Sequence, residues 1–243
     1  MRMKTVVKLG TIVSVLLFVL AVGYYAFMRL DMTGQQRDVN LFSLVPADCI
    51  SVLESDDINA LWKEYPNLNY SRELDEFQFP GLFHFLISEL NEYTDETHGL
   101  SRQMSRMLVS YHQPGTALDQ VVYFHMDMAD EHLISDMLQE YVPGNFLPKE
   151  ETYRGKELRI YPLSHDEFLT TYTEKGFVVL SYQKRLVEAV IDASMDKKSL
   201  KDDAVFSNIL QKKKSQDLVT LYGREASLPF LQLGEDCWSE YGF

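Results

Sequence analysis

The chain has 243 residues, of which 36 are acidic and 23 basic, for a formal net charge of −13. Its 46% apolar and 12% aromatic content excludes a disordered chain and calls for a packed core. Four basic residues and no acid fall within the first 30 residues, so the remainder carries a net charge of −17. A surface that acidic repels phosphate groups, which excludes nucleic acid as a partner and disfavours anionic lipid heads.

The first element is the run LGTIVSVLLFVLAVGYYAFM, residues 9–28, twenty residues without a charge. As a helix rising 1.5 Å per residue it spans about 30 Å, the thickness of a bilayer's hydrocarbon core. A cleaved secretion signal is the competing reading, with Ala21-Val22-Gly23 as a weak cleavage site. Tyr24, Tyr25, Ala26 and Phe27 continue the apolar run past that point, and tyrosines suit the membrane–water interface. No Cys near its end could carry a lipid. The run therefore reads as a retained anchor in the lipid bilayer. Arg2, Lys4 and Lys8 precede it, whereas Arg29 and Arg37 after it are diluted by Asp31 and Asp38. The basic excess keeps residues 1–8 in the cytoplasm. Residues 29–44 read as a juxtamembrane tether, and residues 45–243 as an extracytoplasmic domain, periplasmic if the host is a bacterium with an inner membrane. No second apolar run approaches this length, so the chain crosses once.

After Val45-Pro46-Ala47-Asp48, residues 49–54 read as a strand. Ser55 and Asp57 mark a helix start, with Ile58, Leu61 and Trp62 on one face. Residues 66–80 are irregular, and Tyr65, Tyr70, Phe77 and Phe79 in 65–80 read as loop anchors over the core, with an exposed surface for a partner or a sugar as the competing reading. A buried helix follows Gly81. Met107 to Tyr111 and Val121 to Met126 read as strands around a Pro114-Gly115 turn. Asp130 is the N-cap of a helix carrying Leu133, Ile134, Met137, Leu138 and Tyr141 inward, ended by Pro143-Gly144.

Three further strands are expected at 157–163, 168–173 and 176–182, the last two joined by a tight hairpin at Glu174-Lys175-Gly176. Phe177-Val178-Val179-Leu180 is apolar without alternation, the mark of a central strand covered on both faces. Helices at 183–193 and 203–211 precede a strand at 218–222. Residues 233–243 end on aromatic residues, as a terminal strand docked in the sheet or as one cut short in a truncated domain. Short turns between neighbouring strands imply antiparallel pairing. The expected fold is α+β: an N-terminal transmembrane helix, then a mainly antiparallel sheet with helices packed on it.

An N-terminal anchor precedes Leu44-Val45-Pro46-Ala47-Asp48. Later come Tyr153-Arg154-Gly155-Lys156-Glu157-Leu158, then Gly176-Phe177-Val178-Val179-Leu180-Ser181-Tyr182 running into Arg185-Leu186-Val187-Glu188-Ala189-Val190, with Ser199-Leu200 and Phe206 after them. This order resembles the membrane-anchored envelope proteins grouped as domain of unknown function 3352. The resemblance covers most of the chain after residue 44 and rests on strand entries, a turn and a helix. It implies an anchored extracytoplasmic domain and brings no catalytic residue.

The residues offer little chemistry. His125, Asp127 and His132 are the best metal candidates, because imidazole and carboxylate groups at a strand end and the next helix start suit zinc or a similar ion. The plainer reading makes Asp130 a helix cap and both histidines surface residues. HExxH, G-x-S-x-G and the phosphate-cradling glycine loops are absent, so no cofactor is implied. Ser164-His165-Asp166-Glu167 reads as a polar turn. Lys212, Lys213 and Lys214, with Lys197, Lys198 and Lys201 nearby, read as solvated helix ends. Cys49 and Cys237 are either a disulfide or two buried thiols. The expected function is a non-enzymatic binding or assembly domain with an envelope protein partner. The competing reading is a membrane-tethered hydrolase, metal-dependent through His125, Asp127 and His132.

Overall fold

Alternate residues along each strand point to opposite sides, and here both sides are apolar. In a computed structural model the chain is described at residues 39–58, 60–61, 106–114, 119–126, 134, 138, 147–163, 167–212, 217–224 and 238–242. The strands are β1 (Ser51–Ser55), β2 (Met107–Tyr111), β3 (Gln120–His125), β4 (Lys149–Tyr153), β5 (Lys156–Pro162), β6 (Phe168–Glu174), β7 (Phe177–Ser181), β8 (Thr220–Arg224) and β9 (Trp238–Gly242). They form one nine-stranded sheet in the order β4-β5-β6-β7-β3-β2-β1-β8-β9. Every neighbouring pair is antiparallel. Two helices are described from end to end, α1 (Lys184–Asp196) and α2 (Ala204–Lys212). An α+β architecture with a mainly antiparallel sheet results.

One face of the sheet carries Leu53, Met107, Val109, Val122, Phe124, Val178 and Leu180, covered by Ile58, Leu61, Ile134 and Leu138. These four covering residues are helical, as the apolar spacing predicts. The Asp57 carboxylate accepts a hydrogen bond from the Ala60 N–H at 3.0 Å and caps the first of these turns. The opposite face carries Val52, Leu108, Val121, Tyr123, Phe177 and Val179 against Leu186, Val187, Val190 and Ile191 of α1 and Phe206 of α2. All five residues of β7 are buried, as a strand covered on both faces requires.

Local chemistry sets the boundaries. The Asp203 carboxylate caps α2 by accepting from the Val205 N–H at 2.8 Å and the Phe206 N–H at 3.1 Å. Helix α1 ends at Lys197, which takes the left-handed conformation at φ 55°. Hairpin β6–β7 turns at Lys175-Gly176, with Gly176 at φ 95°, as the sequence predicts. Hairpin β4–β5 turns at Arg154 (φ 48°) and Gly155 (φ 81°), both left-handed as a two-residue hairpin demands.

Two differences from the sequence reading change what belongs to the domain and its sheet. The compact unit begins at Val39, so Val39 to Leu44 belong to the domain and not to a free tether. Leu41, Phe42 and Leu44 are buried in the second core, and the short 3-10 turn Leu41–Ser43 is capped by the Asn40 side chain. Strand β4, sequence KEETY, was not expected, because an edge strand facing solvent carries charge where the pattern demands apolar alternation. At the other edge β9 docks on β8, as a terminal strand would. The anchor expected at 9–28, the segment 66–80 and the helix expected after Gly81 lie outside the described residues. Among the described residues no helix is long and apolar enough to cross a membrane.

Candidate functional site

Ser110 in β2 and His112, the residue just past its end, lie two residues apart on the side of the sheet where α1 packs. The Ser110 Oγ lies 2.8 Å from His112 Nε2 and 2.9 Å from the Tyr123 hydroxyl on neighbouring β3. Ser110 and Tyr123 are fully buried and His112 is 5% exposed. The chain reverses after His112 through a cis Gln113–Pro114 peptide, and the His112 N–H donates to the Asp119 carbonyl at 2.9 Å. Asp119, itself buried, accepts from the Arg185 guanidinium at the start of α1. The Ser181 hydroxyl donates to the Gln120 carbonyl at 2.6 Å and accepts from the Gln183 N–H at 3.1 Å. The β2–β3 connection and the entry to α1 are thereby held together around the imidazole.

Electrostatics follow from burial. Desolvation dominates at His112, with Arg185 acting in the same direction and Asp48 and Asp119 opposing, and the imidazole is pushed down to about 4. Burial likewise pushes the Tyr123 hydroxyl and the Cys49 thiol up. A serine within hydrogen-bond reach of a histidine is the first requirement of an activated nucleophile. Two others are missing. Ser110 has no exposed surface, and an imidazole titrating near pH 4 is a weak base at neutral pH. The cluster is therefore suited to holding the fold rather than to attacking a substrate.

The metal candidates fare differently. His125 closes β3 in register with Phe177, and the following Met126 turns into the core with its N–H bonded to the Gly176 carbonyl at 3.1 Å. Asp127 and His132 lie outside the described residues. Among the described residues no group of three or more His, Cys, Asp or Glu side chains is placed to hold a metal ion. Cys49 is a free, fully buried thiol in the second core, and Cys237 lies outside the described residues.

Two other places merit description. Beside Leu138, a crevice of about 20 Å³ is lined by Met126, Arg159, Tyr161 and Thr173, room for about one water. Along α1, Arg154 bridges Asp192 at 2.6 Å and Asp196 at 2.8 Å, and Tyr153 donates to Asp192 at 2.9 Å. Glu151 accepts from Lys149 and Lys184, which hold its carboxyl down at about 2. These pairs fasten the charged edge strand β4 to the helix.

Sequence reasoning missed the Ser110–His112–Tyr123 cluster. The one available signal was S-x-H within a strand of otherwise apolar residues, which places both side chains on one face. Its third member comes from the next strand and depends on register. No protein-family model, no curated protein and no solved structure matches the chain.

Proposed function

We propose that this chain is a single-pass, membrane-anchored protein of the cell envelope. Residues 1–8 remain inside, residues 9–28 lie in the inner-membrane bilayer, and the α+β domain is extracytoplasmic. There it binds an envelope protein or supports an assembly. The observation that carries this reading is the run of twenty uncharged residues behind a basic N-terminus, followed by a chain of net charge −17. The order of strand entries, turn and helix resembles that of the envelope proteins of domain of unknown function 3352, which supports the reading. A sheet covered on both faces gives such a domain a rigid scaffold.

Crosslinking in intact membranes tests the proposal. The expected result is one recurrent protein neighbour, lost when the membranes are solubilised before crosslinking. Adducts only to lipid or to second copies of this chain would overturn the partner-binding role.

A further inference from the structure

The described sheet ends at β4 on one side and at β9 on the other, and the two edges are held by different forces. Apolar packing fixes β9: Trp238 is buried, with its ring 5.1 Å from that of Phe206. No residue of β4 is buried, and Tyr153 alone of them packs against the described core. Beyond its pairing with β5, what ties β4 to the domain is charge. Glu151 pairs with Lys184 at the start of α1, and Arg154 in the following turn pairs with Asp192 and Asp196 toward the helix end. Tyr153 donates to the same Asp192.

The five groups in these three ion pairs are 26–42% exposed, so dissolved ions reach them and screen the attraction. Strand β5 does not need β4 to keep its place. It pairs with β6 on its other side and buries Leu158 and Tyr161 in the two opposite cores.

We propose that β4 is a charge-latched flap, hinged at the Arg154-Gly155 turn, which opens from β5 while α1 and the rest of the sheet stay folded, and that ionic strength sets how often it opens. Opening bares the main-chain edge of β5, the kind of surface on which an extended segment can pair. The proposal goes beyond the envelope reading above and does not depend on it. Between 0.01 M and 1 M salt the Debye length falls from about 30 Å to about 3 Å, the span of a single ion pair. Each exposed pair favours the closed form by a factor of about 1.4 to 5. Loss of the three pairs to α1 should therefore raise the open fraction at least about threefold.

The test is hydrogen exchange read by mass spectrometry on the full-length chain in mild detergent, at about 0.01 M and about 1 M sodium chloride and constant pH. The amides that bond β4 to β5 should exchange at least about threefold faster at high salt. Those of β7 in the sheet centre and of β9 at the apolar edge should keep their rates. The E151Q/R154Q variant, which removes all three pairs at exposed positions, should exchange at the high-salt rate in both solutions. Equal β4 exchange at the two salt concentrations would overturn the proposal. So would acceleration at β7 as large as at β4, which would mean global unfolding, or a variant as protected and as salt-sensitive as the wild type.

Discussion

Acid should destabilise this protein through His112 before its carboxylates titrate. The imidazole is 5% exposed and pushed down to about 4 from the ordinary 6.5, mainly by burial. Because the folded value is the lower one, the unfolded chain binds the proton first as pH falls. The neutral-histidine contribution is thus complete above about pH 6.5 and is lost progressively down to about pH 4. Linkage over that interval gives a loss of about 2 kcal/mol at pH 5 and about 3 kcal/mol at pH 4, relative to neutral pH. The assay is urea unfolding of the full chain in mild detergent from pH 7 to pH 4, followed by fluorescence of the buried Trp238. The H112Q variant supplies the control, since glutamine keeps a polar side chain but does not titrate. The wild type should lose about 2 kcal/mol more than H112Q between pH 7 and pH 5. Parallel pH profiles for the two proteins would refute the argument, because the imidazole would then titrate alike in folded and unfolded chains.

Three further outcomes are expected. Phe206 is fully buried, with ring centroids 5.3 Å from Phe42, 5.3 Å from Tyr222 and 5.1 Å from Trp238. Phe206→Ala should cost about 3–5 kcal/mol in the same unfolding assay, and a loss under about 1 kcal/mol would mean the cluster is not part of the core. Gly155 sits at φ 81° with nothing within 4 Å of a would-be Cβ. Gly155→Ala should therefore cost about 1 kcal/mol, from backbone strain alone, and a far larger loss would point to a steric contact. Purified protein should carry metal at background by elemental mass spectrometry. Stoichiometric zinc that disappears when His125 and His132 become Ala would instead support the metal-dependent hydrolase.

Short continuous apolar runs and helical apolar stripes are properties of local sequence, and they carried most of the fold. Met107–Tyr111 is a strand with the expected ends, and α1 turns Leu186, Val187, Val190 and Ile191 inward as its spacing dictates. The expected end of α1 fell short because Ser194, Met195 and Asp196 are exposed and leave no inward pattern to read. Strand β4 was illegible for a related reason. Its Lys and Glu residues answer to solvent and to α1, not to a core. The first strands of the domain were recognised, but the segment Val39–Leu44 was not assigned to it. Two or three apolar residues in a short turn give no periodicity, although Leu41 and Phe42 are buried. The Ser110–His112–Tyr123 cluster lay beyond reach because Tyr123 joins it only through the pairing of β2 with β3.

Native mass spectrometry of the full-length chain, extracted from membranes in mild detergent, tests the anchored, partner-binding reading most directly. That reading predicts an uncut chain, with residues 1–28 still present, arriving with another protein attached. A chain cut after the apolar run, or an uncut one carrying a stoichiometric metal ion and no protein, would contradict it.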